Sequence, residues 1–397
     1  MPSLAIALLG IAVPRRGNSQ QPVSRDQAIA AAVTRGARAA VARADTLVGA
    51  AQVLTARSWE NPSLAASYSK SPPKYHAIVD LPLDITGARS ARVRAAEAGR
   101  LASRYRFEFE RASAALDADT SYTRALAALE RVRLSRRNAR DADSLRRMAV
   151  VRRDAGDASE LDVLLATVNA GQAANLAISD SVTLISSIFD LQTVMGLDTT
   201  RIAIVPSDSL TMPAVTAPNA VTEAALPIAA ARQALTAADL SVRVERRSIF
   251  TPFSVQAGAE WGDPDHGGLL PTFGFSIPLP LLNRNRGPIA LAEAERERAR
   301  AELALALFET QATVGRARRE RVVALERLER DRVLVDAANR IAAMSLVAYR
   351  EGAQGLPAVL EAQRNARDIL SQYVNDLADA WIATATLRLY SLTATTP

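Results

Sequence analysis

Phe253-Ser-Val-Gln-Ala-Gly-Ala-Glu-Trp261 places an apolar or aromatic residue at every odd position and a polar or small one at every even position. Alternation of period two marks a strand with two unlike faces. About nine residues is also the length of a strand that crosses an outer-membrane hydrocarbon layer at a tilt. A partner strand is predicted over Thr272 to Leu279, where Phe273, Phe275, Ile277 and Leu279 alternate with Gly274, Ser276, Pro278 and Pro280. Phe253, Val255, Trp261, Phe273, Phe275 and Ile277 are therefore the residues expected to face lipid. Trp261, and Tyr75 in an earlier stretch, stand at strand ends, where an interfacial aromatic girdle lies. The competing reading is a soluble hairpin whose apolar face packs on a helix, which alternation alone does not exclude.

Working outward, the surrounding sequence is written twice. At the constant offset that carries Pro82 onto Pro278, Leu81-Pro-Leu83 falls on Ile277-Pro-Leu279 and Ala96-Glu-Ala98 on Ala292-Glu-Ala294. Gly156 falls on Gly352, Val163-Leu164 on Val359-Leu360, and Asn169 on Asn365. A register kept without gaps indicates a duplicated unit, far longer than a solenoid repeat. The two repeats are placed at 24–198 and 221–395, joined by a linker at 199–220 that carries Pro206, Pro213 and Pro218.

Each repeat reads as a helix, two short strands, a very long helix, a tight turn and a shorter helix. In the first, Ser24 caps a helix expected to run to about Ala56, before strands at Leu64 to Ser69 and Tyr75 to Leu83. A helix from Ala88 to Arg153 follows, a rod of about 100 Å at 1.5 Å per residue. Gly156 stops it, and another helix covers Ser159 to Val194. In the second repeat, a helix over Val221 to Arg247 precedes the strands. Pro288 then starts a helix to Arg350, and Gly352 and Gly355 turn the chain into a last helix, Pro357 to Leu392. The expected fold is mainly α with a small membrane β part.

Composition agrees with long helices packed through small residues. Aromatics make up only 5% of the chain, and all but two of its 48 basic residues are arginines. A net charge of +6 and a pI near 10.0 permit nucleic-acid binding. The arginines, however, are interspersed with acids along helical segments, as solvated faces are, and nucleic acid is not an expected partner. The absence of cysteine excludes disulfides, thiolate metal sites and a lipid-anchored N-terminal Cys. Leu4 to Val13 has the length of a signal h-region, so residues 1–22 are read as a secretory leader, although no basic residue precedes Arg15. Beyond it, no stretch is expected to approach a transmembrane helix.

No catalytic constellation, phosphate loop or dinucleotide fingerprint is found, so an enzyme is not expected, nor a cofactor or metal. Asp263, Asp265 and His266 crowd one Gly/Pro-rich loop, and His76 lies beside another; both read as solvated loop residues. Two separate hairpins cannot close a barrel alone, and open edges in lipid are forbidden, so membrane strands here demand further copies of the chain. The alternative is a cytosolic coiled-coil scaffold, which has no use for membrane-patterned hairpins between its helices.

The residues at the junctions carry a resemblance. Ser276-Ile-Pro-Leu-Pro-Leu-Leu-Asn-Arg-Asn-Arg-Gly-Pro-Ile289 resembles the strand-to-helix junction of TolC-type outer-membrane efflux proteins, in their heavy-metal and cation branch. Asp80-Leu-Pro-Leu-Asp-Ile-Thr-Gly-Ala-Arg89 resembles its first-half counterpart. Tyr349-Arg-Glu-Gly352, with Val359-Leu-Glu-Ala-Gln363, is similar to the family's periplasmic helix turn. The resemblance spans about Ser24 to Leu392. It implies a homotrimer closing one twelve-stranded β-barrel in the outer membrane, continued by an α-helical tunnel in the periplasm. The partners implied are outer-membrane lipid, a periplasmic adaptor (membrane fusion) protein and an inner-membrane pump of the resistance-nodulation-division type. The chain would be the passive exit duct for metal cations or small toxic compounds. A type I secretion duct for protein cargo is the alternative within the family.

The resemblance also implies a gate at the turns. Its acidic candidates are Glu361 and Asp162, while another gate position of the family holds Ala358 here. Tyr349, Arg350 and Glu351, with Arg153 and Asp154 in the first half, are candidates for locking contacts, and Gly156 and Gly352 for the turns themselves. Threefold symmetry would make each carboxylate a ring of three that favours cations. Each of these charges also fits an ordinary helix end.

Overall fold

A computed structural model describes residues 21–202, 204–214, 225–250 and 253–393. The N-terminal apolar run and Pro218 of the expected linker lie outside the described residues. In chain order the elements are β1 (Gln21–Val23), α1 (Arg25–Arg35), α2 (Ala37–Arg57), β2 (Ser63–Tyr68), β3 (Tyr75–Leu83), α3 (Ala88–Asp154) and α4 (Glu160–Val194). There follow β4 (Ile204–Pro206), α5 (Leu226–Arg247), β5 (Phe253–Trp261), β6 (Leu270–Ser276), α6 (Arg286–Arg350) and α7 (Leu356–Ser391). The order helix, strand, strand, long helix, shorter helix thus occurs in both halves.

Three expectations are corrected, and one pairing is new. The first helix is broken at Gly36, whose extended backbone separates α1 from α2, since glycine is the weakest ordinary helix former. The last strand ends at Ser276, leaving Ile277 and Leu279 beyond it. Pro278 and Pro280 offer no N–H to a ladder, which explains the early stop. Apolarity is also more extensive than expected: α4 is long and apolar enough to cross a membrane by length and composition. Finally, β1 and β4 form a parallel pair that no pattern signalled, being three residues each.

The chain divides into two compact units, and α3, α6 and α7 contribute a stretch to each. In the first unit, Val23 and Ala28 pack against Tyr122 and Leu126 of α3 and Ile188 and Leu191 of α4. A polar clamp holds this corner. Arg25 donates to Asp119 and, at 2.9 Å, to Thr123 Oγ1. Tyr122 Oη donates to the Val23 carbonyl at 3.0 Å and accepts the Asp208 N–H at 3.2 Å. Burial dominates the environment of Tyr122 and pushes its phenol above the usual tyrosine value.

The second unit contains one antiparallel sheet in the order β2-β3-β5-β6, so the two hairpins are neighbours and β3 pairs with β5 from Tyr75–Trp261 to Leu83–Phe253. Gly258 stands opposite Ile78 in that central pairing; a Cβ there would lie 2.6 Å from the Ala77 carbonyl oxygen, so only glycine fits. At the exit of β3, Asp84 accepts the N–H groups of Ala88 and Arg89 at 2.9 and 2.8 Å, capping α3. At the exit of β6, Asn285 takes a left-handed backbone and donates to the Glu245 carbonyl at 2.7 Å. The halves also repeat an exposed ion pair, Arg57–Glu97 at 2.8 Å and Arg246–Glu293 at 2.6 Å.

Candidate functional site

Residues paired directly across an antiparallel ladder share a face, so the register fixes what each side of the sheet presents. Val79 of β3 pairs with Leu64 and Ala257, Leu81 with Val255, and Val255 in turn with Phe275. Following these pairs across all four strands yields a face on which every residue is apolar or aromatic. The other face carries Asp80, Gln256, Glu260, His76, Ser254 and Thr272.

The two faces are buried in the opposite sense to a soluble hairpin. Phe273 is 80% exposed and Phe275 71%, and Leu64, Val79, Leu81 and Val255 are exposed as well. On the polar side Ser254 is buried, and Gln256 and Glu260 are half-buried. Among the described residues no helix covers the apolar side, which is the opposite of what a soluble hairpin packed on a helix would show. Of the six residues expected to face lipid, Phe253, Val255, Trp261, Phe273 and Phe275 lie on this face, Phe253 half-buried; Ile277 is exposed but outside the strand. At one end Tyr68, Tyr75 and Trp261 form a cross-strand row, with ring centroids 5.4 and 5.6 Å apart. On the polar side of the same end, His76 Nδ1 lies 3.3 Å from Glu260 Oε1. Among the described residues β2 and β6 each have one neighbour, leaving two open edges.

The second candidate site lies within the first unit, at the α3–α4 and α6–α7 turns. Both close identically. Gly156 donates to the Arg153 carbonyl and Asp157 to that of Arg152, at 2.9 and 2.8 Å; Gly352 and Ala353 repeat this to Tyr349 and Ala348 at 3.1 and 2.8 Å. This two-bond closure requires a left-handed residue, and the glycines have φ of 85° and 73°. Leu145 and Ala149 of α3, Val163 of α4, and Leu356 and Val359 of α7 pack around Tyr349, tying the two turns into one cluster.

The candidate residues divide by what already occupies them. Asp162 completes a capping box: its carboxylate accepts the Ser159 N–H at 3.1 Å while Ser159 Oγ accepts the Asp162 N–H at 3.2 Å. Tyr349 is 3% exposed, its hydroxyl has no partner, and burial raises its phenol above the usual value. It is a core residue. Asp154 and Glu160 share Arg153, at 2.7 and 3.0 Å. Arg350, Glu351 and Glu361 are exposed, with side chains uncommitted inside the chain among the described residues. Sequence reading missed Arg152, which donates to the Tyr349 carbonyl and stacks 4.7 Å over its ring. It closes the end of α6 from the neighbouring hairpin; two adjacent arginines in a last turn were the available signal.

Comparison with known proteins fits this geometry. Residues 217–393 match the family described as Outer membrane efflux protein. No curated protein matches the sequence significantly. Among solved structures, the outer membrane channel CmeC of Campylobacter jejuni superposes with a TM-score of 0.80 at 15% identity, over 100% of this chain and 96% of that one. A membrane protein of Pseudomonas aeruginosa gives 0.79 at 20% identity, covering 92% and 93%. The outer membrane protein VceC of Vibrio cholerae gives 0.79 at 17%, covering 92% and 95%. The chain has the fold of these proteins.

Proposed function

We propose that this chain is the outer-membrane exit duct of a tripartite efflux system and assembles as a homotrimer. The carrying observation is the four-stranded sheet with one wholly apolar, uncovered face and two open edges. In water such a face invites aggregation and the edges invite indiscriminate pairing. In a bilayer the face is solvated by lipid, and the edges must be closed by further strands of the same kind. Three copies closing a twelve-stranded barrel satisfy both demands. The match of residues 217–393 and the likeness to outer membrane channels support the same reading.

The helical parts support it independently. Inside the chain α4 buries Val163, Ala166, Ile188 and Leu191, yet Leu164, Val168, Ile178 and Val182 stay exposed. A helix that exposes this many large apolar side chains suits an interface within an assembly. Neighbouring copies provide that cover, and the helices line the duct in the periplasm. A periplasmic adaptor and an inner-membrane pump of the resistance-nodulation-division type would supply the energy. The proposed cargo is metal cations or small toxic compounds, a reading that rests on the resemblance of Ser276 to Ile289 to the heavy-metal and cation branch.

At the turns, Glu361 is the gate carboxylate we favour, because Asp162 is engaged in its cap. The deciding experiment is fractionation of an expressing Gram-negative cell followed by the mass of the detergent-extracted complex. Outer-membrane recovery at three times the mass of one processed chain is expected. Recovery as a soluble monomer would overturn the duct and return the scaffold.

A further inference from the structure

In the first unit, α6 and α7 meet at two carboxyl groups that the duct reading leaves unused. Asp376 is only 1% exposed. Its Oδ1 accepts Gln372 Nε2 at 3.0 Å and lies 3.6 Å from Arg327 Nη1. Its Oδ2 has no hydrogen-bond partner, and neither has Oδ2 of Asp331; both atoms are buried. The two carboxyls face each other within hydrogen-bonding reach. Two ionised carboxylates offer acceptors only, so this contact would be repulsive and doubly unsatisfied. One proton supplies the missing donor and removes one of the two charges.

We infer that Asp331 carries a proton that it donates to Asp376, and that this proton makes the α6–α7 contact pH-sensitive. The surroundings are consistent. On α6, Arg327 and Arg330 favour ionisation of Asp331, but burial and the facing Asp376 outweigh them and raise its proton affinity. On α7, Gln372 is engaged with Asp376 Oδ1, and Asn375 accepts Arg131 of α3 at 3.2 Å. A metal ion is the rival occupant. Among the described residues no third Asp, Glu, His or Cys completes a ligand set, and Arg327 places a positive charge beside Asp376.

The direction of the effect follows from linkage. Asp331 binds its proton more tightly in the folded chain than at its reference value of 3.8. The stabilisation is therefore complete below that value and is lost as pH rises through the raised one. Loss of the proton leaves two facing negative charges that push α7 from α6. The hairpin that carries them closes at the Gly352 turn, roughly 30 Å along α6 from Asp331 at 1.5 Å per residue.

The test is hydrogen exchange of α6 and α7 peptides in the full-length, detergent-extracted protein across an acid-to-alkaline series, corrected for intrinsic exchange. In the wild type, protection should fall several-fold toward alkaline pH. Asp331→Asn supplies a permanent donor and should abolish that fall, keeping alkaline protection at the acid level. Asp376→Asn does the same from the other side and serves if the first variant does not fold. Asp331→Leu, which lacks a donor, should lose protection at every pH. Wild-type protection that is independent of pH, or amide variants that keep the wild-type profile, would overturn the donated proton. So would protection that responds to added Mg²⁺ and not to pH, which would mark a cation instead.

Discussion

Tyr122 and Tyr349 show how one residue type is used in two ways. The Tyr122 hydroxyl ties Val23 to Asp208, whereas the Tyr349 hydroxyl is buried without a partner. Tyr122→Phe should destabilise the protein by about 1–3 kcal/mol, because a buried carbonyl and an N–H lose their partner. Tyr349→Phe should be neutral or slightly stabilising, and thermal unfolding of the two variants side by side distinguishes them. Glu361→Gln should weaken cation preference in single-channel recordings with stability unchanged; unaltered selectivity would remove Glu361 from the gate. Asp162→Asn should instead lower stability by about 0.5–1 kcal/mol through its capping box. The glycine turns were legible because Gly156 and Gly352 share one register. The burial of Tyr349 and the reach of Arg152 were not, since helix phase against a neighbouring hairpin decides both.

At the scale of elements, the sheet separates local from non-local information. The bounds of β3 and β5 were readable residue for residue, β5 from its alternation and β3 as an extended stretch following Ser71-Pro-Pro73. The end of β6 was misread because apolar alternation continues through Pro278 and Pro280, where no ladder can follow. The β3–β5 pairing was not readable at all, since a strand's own pattern does not name its neighbour. The register now sharpens a contrast between adjacent positions. Phe275→Arg puts a charge on the apolar face, at about 2–4 kcal/mol if it lies near the bilayer midplane, and should block outer-membrane assembly. Ser276→Arg, on the polar side opposite Ser254, should be milder. Equal yields of both variants in the outer-membrane fraction would count against a lipid-facing sheet.

At the scale of the whole molecule, the proposed need for further copies rests, in the sequence, on two hairpins that cannot close a barrel by themselves. The extent of exposed apolar surface on α4 was not, because the small residues scattered along it read as ordinary helix packing. Val168→Asp with Ile178→Asp should therefore reduce the extracted complex from three chains toward one while circular dichroism keeps its helical content. A mass still at three chains would mean that α4 faces something other than another copy. One feature of the sheet bears on how the chain reaches this state. Leu83 must find Phe253, so the first hairpin is finished long before its partner strand is synthesised. Contacts this distant in sequence make folding slow, and for that interval the β3 edge is an unprotected template for pairing with other chains. Export of this protein should thus rest on a holding factor in the periplasm, and a fragment ending before β5 should accumulate as aggregate.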